Sequence, residues 1–209
     1  MNYAVIPLIP LIVGGLGLIG LGAVIYGKTK KTDGYKLGVI GMSFAGKTTF
    51  LLQLGVIDEF KLGTAHQKYN DKEILIGERI IHIDSGEDIG GSELWAKNYY
   101  QDWIENKDII VFIYNGAEYL SNREYQRKTR TRLDFIYNNY KKRSNVDGYK
   151  NVVIIASHSD LYKGGNEELH KRLLEDVQNR EYSKLFDCNF FVAKLNDNKS
   201  VKTIANKIF

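Results

Sequence analysis

The sequence is poor in the residues that staple or stiffen a chain. Among 209 residues it has one cysteine, Cys188, and two prolines, Pro7 and Pro10. A single thiol excludes an intramolecular disulfide framework and a zinc site built on several thiolates, and it suits a reducing compartment. Two prolines exclude a Pro-rich linker protein. No internal repeat, no Ser-His-Asp protease order, no metal-ligand His pair and no glycosidase-like pair of carboxylates stands out. A surplus of one charge is also missing: 29 basic residues face 25 acidic ones, a net +4. The four lysines and one aspartate between Lys28 and Lys36 carry three of those charges. The remainder is nearly neutral, so nucleic acid is not an expected partner. What is present, 44% hydrophobic and 12% aromatic residues, is enough for a core and excludes a disordered chain.

Charge is missing altogether from Met1 to Gly27. The apolar run Ala4–Tyr26 has 23 residues, where a helix needs roughly 20 to cross a bilayer. Lys28, Lys30 and Lys31 follow at once. The expectation is one transmembrane helix over residues 1–27, a polar linker over 28–35, and the rest of the chain, 36–209, in the cytosol. A cleaved signal peptide would want positive charge ahead of the run. A buried soluble helix fits poorly with Gly14, Gly15, Gly17, Gly20 and Gly22, which membrane helices tolerate better. Asn2 excludes N-myristoylation as another route to a membrane.

After the linker, short β-rich runs alternate with helical stretches. The runs are Leu37–Ile40, Glu73–Ile76, Arg79–Ile83, Ile109–Tyr114, Val152–Ala156 and Asn189–Ala193. The helices are Lys47–Leu54, Ser92–Asn106, Tyr119–Lys142, Glu167–Asn179 and Ser200–Ile208. This order predicts an α/β domain with a mostly parallel sheet covered on both faces. Gly77-Glu78 reads as a hairpin turn, so one strand is antiparallel. On the helix from Tyr119, Leu133, Ile136, Tyr137 and Tyr140 form the buried face, and Arg123, Arg127 and Arg130 a solvated one.

In such sheets ligands bind beyond the carboxyl ends of the strands. There the chain reads Gly41-Met42-Ser43-Phe44-Ala45-Gly46-Lys47-Thr48, followed by Thr49, a full match to the phosphate-loop pattern G-x-x-x-x-G-K-[ST]. The two glycines let backbone N–H groups turn toward phosphate oxygens, and the helix after them adds its positive end. Lys47 is expected to neutralise the β- and γ-phosphates, and Thr48 to offer its hydroxyl to Mg²⁺. Asp84, at the end of Arg79–Ile83, is expected as the acid of the metal site, with Gly86 beside it in the nucleotide site. Thr64, between the first helix and the hairpin, is expected to close on Mg²⁺.

Together these residues resemble a Ras-like small GTPase of the Arf or signal-recognition-particle receptor β-subunit type. The resemblance spans 36–209. It rests on Gly41 to Thr49, Asp84, Leu94-Trp95 leading into Tyr99-Tyr100, Ile109–Tyr114, Asp160 and Ala193-Lys194. It implies a six-stranded, mostly parallel sheet, GTP or GDP with Mg²⁺ as cofactors, and a partner protein held at the membrane through the switch segments. Ser157-His158-Ser159-Asp160 stands where such proteins carry Asn-Lys-x-Asp, so Asp160 would accept the hydrogen bonds of guanine. Ser157 and His158 replace the Asn and the Lys, and Ala193-Lys194 resembles the loop that reads guanine O6. The family continues its metal acid as Asp-x-x-Gly and then a glutamine that orients water. Counting from Asp84 puts Glu87 at the glycine and Asp88 at the glutamine, which makes Asp88 the candidate catalytic residue and hydrolysis slow. Asp88-Ile89-Gly90-Gly91 also fits the motif but lies past the expected strand end, so Asp84 is preferred. The eroded guanine motif leaves two alternatives: an ATP- or broad-specificity phosphate-loop enzyme, or a structural adaptor whose nucleotide site is permanently occupied or empty.

Overall fold

Every position of Leu37–Gly41 and Val152–Ser157 is buried, and so is all of Ile109–Asn115 but its last residue. Strands without an exposed face must lie inside a sheet covered on both sides, which favours parallel pairing through helical crossovers. The computed structural model describes residues 34–59, 66–89, 100–101, 103–142, 151–187 and 189–209, within a unit that runs Thr32–Phe209. Its strands are β1 (Leu37–Gly41), β2 (His66–Tyr69), β3 (Lys72–Ile76), β4 (Arg79–Ile83), β5 (Gly86–Ile89), β6 (Ile109–Asn115), β7 (Val152–Ser157) and β8 (Phe190–Val192). Its helices are α1 (Lys47–Leu54), α2, described at residues 100, 101 and 103–106, α3 (Gly116–Ser121), α4 (Arg123–Tyr140), α5 (Gly165–Val177) and α6 (Asn198–Ile208).

A four-stranded parallel sheet in the order β1-β6-β7-β8 forms the centre. The expected six-stranded sheet is therefore corrected. The other strands make two antiparallel pairs, β3 with β4 and β2 with β5. Their registers are continuous: Lys72 faces Ile83, Tyr69 faces Gly86 and His66 faces Ile89. The two pairs are thus one long hairpin, turned at Gly77 and interrupted once. At the interruption the Asp71 carboxylate accepts from the Ser85 N–H at 2.6 Å, and this bond holds the Asp71 carboxyl below the usual carboxylate range.

The hairpin meets β1 through one parallel bridge, Tyr35 to Ile83. Tyr35 N–H donates to His82 O at 2.8 Å, and Asp84 N–H donates to Tyr35 O at 3.0 Å. Farther along, the Tyr69 hydroxyl crosses over Gly86 and donates to Leu37 O at 3.2 Å. A side chain thus occupies a β1 carbonyl that a strand N–H would otherwise take, and the ladder stops. Gly86→Ala would drive a Cβ into the Tyr69 ring. Overpacking of this kind is expected to cost about 1–3 kcal/mol, read as a lower urea midpoint with an unchanged slope.

Tyr119–Lys142, expected as one helix, is two. Asn115 Oδ1 caps α3 by accepting from Glu118 N–H, and Asn122 Oδ1 caps α4 by accepting from Glu124 and Tyr125 N–H. Leu133, Ile136, Tyr137 and Tyr140 are buried as expected. Arg130 is not simply solvated: it pairs with Asp176 at 2.5 Å and donates to the Tyr119 hydroxyl.

No helix among the described residues is long and apolar enough to cross a membrane. The expectation of a single-pass membrane protein is corrected to that extent: the described residues carry no membrane span, and the transmembrane helix expected over residues 1–27 falls outside them. α4 has the length, 18 residues, but it carries Arg123, Arg127, Lys128, Arg130 and Arg132, which a bilayer core rejects. Residues 1–27 lie outside the described residues.

Candidate phosphate loop and base pocket

β1 ends where the chain must leave the sheet. Gly41 has φ +149°, and a Cβ there would collide with the backbone of Ile113 on β6. The next residue, Met42, donates its N–H to Ile113 O at 2.9 Å, which pins the first step of the loop to the neighbouring strand. Ser43 is exposed and Ala45 buried. Phe44 takes φ 57° and is 96% exposed, so its side chain stands away from the loop interior. Gly46, at φ 90°, turns the chain into α1, whose first-turn N–H groups have no side-chain cap. Lys47 is only 7% exposed, and its ammonium donates to Met42 O at 2.8 Å, across the loop. Thr48 and Thr49 follow, half-buried, on the first turn of α1. A closed ring of backbone, an uncapped helix end and a drawn-in ammonium suit a chain of phosphates.

The second group of expected residues meets this loop. Ser157 ends β7 and is fully buried; its hydroxyl donates to Tyr114 O at 3.0 Å. It therefore accepts from His158 Nδ1 at 2.9 Å and serves as the support of His158, which holds φ 55°. Asp160 lies in the short helical turn Ser159–Leu161, and Lys194 stands 3.6 Å from its carboxylate. Ala193 is buried and donates its N–H to Ala156 O at 3.0 Å, so the loop after β8 is tied to β7. Gly46, Thr49, His158, Asp160, Lys194, Leu195 and Asn196 line one cavity of about 220 Å³. Residues more than a hundred positions apart in sequence thus share one pocket.

The hairpin separates the two candidate acids. Asp84 sits at the start of β1, bonded to Tyr35 and 3.5 Å from His82. Its charge acts on Lys107, which precedes β6. The loop lies at the other end of those strands, roughly 20 Å away at 3.3 Å per residue. Asp84 would lead toward the loop only if the strand ended at Ile83. The strand in fact resumes as β5 and runs through Asp88 to Ile89. Carried forward residue for residue from the Tyr35–Ile83 bridge, the parallel offset sets Asp88 opposite Ile40 and Ile89 opposite Gly41. Gly86 lies on the strand beneath Tyr69, short of the loop. Thr64, Gly90, Gly91 and the Leu94-Trp95 step lie outside the described residues. Among the described residues no group of three or more His, Cys, Asp or Glu is placed to hold a metal ion. If Mg²⁺ binds at the phosphate loop, Thr48, on the first turn of α1, is the described residue that would hold it.

The sequence reading missed two residues at the root of the loop. Tyr100, on α2, accepts from Gly41 N–H at 3.0 Å, and its hydroxyl lies 3.1 Å from Gly41 O. Arg132, on α4 and 6% exposed, donates to Gly41 O at 2.9 Å. Tyr100 enters the sequence reading only as part of the family resemblance, and nothing local marks the contact of Tyr100 or Arg132 with Gly41, since both act across long stretches of chain.

No family model matches the chain, and no curated protein matches it. Solved structures do. The fold is that of the Ras/Arf-like GTPases, an α/β phosphate-loop fold with a parallel sheet. A structure similar to it is the Arl6 BBS3 small GTPase from Trypanosoma brucei, determined with the bound nucleotide analogue GppNp. The likeness has a TM-score of 0.58 at 14% identity and covers 84% of this chain and 95% of that one. It extends to the fold and to no particular subtype.

Proposed function

We propose that this chain is a guanine-nucleotide-binding switch of the small-GTPase type, binding GTP and GDP with Mg²⁺ and engaging a protein partner through the segments on either side of the hairpin. The observation that carries the reading is the single cavity in which the phosphate loop, at Gly46 and Thr49, meets Asp160 and Lys194. A phosphate loop alone serves any nucleoside triphosphate. A carboxylate set where it can accept from the N1 and exocyclic N2 hydrogens of guanine discriminates against adenine, which lacks that pair of donors. The Arl6 neighbour, solved with a GTP analogue, supports the same choice.

Mg²⁺, if bound beside Thr48, would supply positive charge against the charge that develops during transfer. The chain's own work is positioning: the loop N–H groups and Lys47 hold the phosphates, and Asp88 stands at the loop end of β5. With Asp88-Ile89-Gly90-Gly91 as the Asp-x-x-Gly motif, Ser92 follows where the family has its glutamine. A serine hydroxyl cannot hold the attacking water through a carboxamide, so hydrolysis remains slow.

One observation favours a broader nucleotide specificity: Asp160 already has Lys194 beside it, and His158 replaces the expected lysine. Affinities of the full chain for GTP and ATP in Mg²⁺ separate the readings. GTP is expected to bind tighter by about 100-fold or more, since a site built to pair with guanine leaves polar groups unpaired against adenine. Equal affinities would favour the broader enzyme, and binding of neither the adaptor. Single-turnover GTP hydrolysis is expected on the order of 10⁻⁴ s⁻¹ or below, and a rate near about 1 s⁻¹ without a partner would contradict it.

A further inference from the structure

We propose that Tyr100 and Arg132 form a clip on Gly41 that holds the phosphate loop in its binding shape, which makes both of them positioning residues for the nucleotide. The proposal rests on the reading of the loop as a guanine-nucleotide site. Gly41 is the last residue of β1, and the orientation of its two peptide groups decides where the loop starts. Its N–H donates to the Tyr100 hydroxyl at 3.0 Å. Its C=O accepts from the same hydroxyl at 3.1 Å and from Arg132 Nη1 at 2.9 Å. The two side chains also meet each other: the Arg132 guanidinium carbon lies 5.8 Å from the Tyr100 ring centre, within reach of a cation–π contact.

From Gly41 the connection passes to the phosphates in two short steps. The Gly41 peptide orients Met42, whose N–H is bonded to Ile113 O and whose C=O accepts from the Lys47 ammonium. Tyr100 and Arg132 thus reach the phosphate lysine through one residue each way. Burial pushes the Tyr100 phenol above its ordinary value, so the hydroxyl keeps its proton and remains a donor to Gly41 O. A charged donor buried against a carbonyl makes one of the stronger classes of hydrogen bond.

The test uses the full chain and three variants: Tyr100→Phe, which removes only the hydroxyl; Arg132→Met, which keeps most of the volume; and Arg132→Lys, which keeps a charged donor. GDP release is followed with a fluorescent GDP, guanosine affinity by competition, and the thermal midpoint without nucleotide by circular dichroism. Tyr100→Phe and Arg132→Met are each expected to speed GDP release by roughly tenfold. Their double variant is expected to be little faster than the stronger single, because both act through the same carbonyl. Arg132→Lys is expected to recover part of the loss. Guanosine, which lacks phosphates, is expected to bind all of them equally, whereas general loosening of the fold would weaken it too. GDP release from Tyr100→Phe at the wild-type rate overturns the clip, and Tyr100→Phe decides alone if Arg132→Met does not fold. Guanosine weakened in step with GDP overturns it as well. A wild-type chain that binds no GDP overturns the reading beneath it, a result separate from a wild type that binds and variants that match it.

Discussion

Lys47→Ala is expected to lower GDP and GTP affinity by about 100-fold or more while the domain stays folded. The ammonium is drawn almost wholly out of water and spans the loop to Met42 O at 2.8 Å. Alanine removes the one side-chain cation of Gly41 to Thr48. Backbone dipoles then face several negative charges alone, and phosphate contacts made by a charged donor are among the strongest a loop can offer. The loop also loses its cross-tie, so its N–H groups no longer start in the binding geometry. Stability without nucleotide should change little, because β1 and α1 are held by Phe50, Leu51 and their buried neighbours. Titration of the full chain with fluorescent GDP, beside far-ultraviolet circular dichroism, measures both parts. Unchanged affinity in the folded variant would remove the loop from the nucleotide site.

Substitution of the two acids is expected to separate them just as sharply. Asp88→Ala should abolish most of the tightening of GTP binding by Mg²⁺, a loss on the order of 10- to 100-fold at millimolar metal. Asp84→Ala should leave it within about twofold. The difference follows from the register of the hairpin. Asp84 is bonded to Tyr35, before β1 begins, and the offset of the Tyr35–Ile83 bridge, carried along β5, brings the Asp88 backbone opposite the end of β1. A divalent cation shared with phosphates needs its carboxylate within a few ångströms, directly or through one water. A residue roughly 20 Å along the strand cannot supply it. Titration of GTP affinity against Mg²⁺ in both variants is the measurement. A large loss in Asp84→Ala with none in Asp88→Ala would mean that the hairpin slides along β1 when nucleotide binds.

Much of the site was legible because its causes are local. The pattern from Gly41 to Thr48 demands positive φ at two positions and a helix start after the second, and the chain has φ +149° at Gly41, φ 90° at Gly46 and α1 over Lys47–Leu54. The runs that became β6 and β7 are almost wholly β-branched or aromatic, and such runs can only be buried strands. Ser157 was legible as a position but not in its role, since its bond to Tyr114 depends on the strand beside it.

The hairpin was the place where sequence and structure parted. Gly86-Glu87-Asp88-Ile89 and His66-Gln67-Lys68-Tyr69 show neither apolar alternation nor strand propensity, so each alone reads as loop. They are strands because each is the other's partner, in the register that β3 and β4 already set. That pairing carried the hairpin six residues past Ile83, to Ile89, and took the backbone of Asp88, rather than that of Asp84, toward the loop end of β1. The sequence by itself determined the loop, the central strands and the order of the motifs, because backbone strain and hydrophobic burial are written in neighbouring residues. Only the tertiary structure decided the length of the hairpin and the clip on Gly41, whose partners stand 59 and 91 residues away, because hydrogen bonds between distant segments exist only once the sheet has brought their strands together.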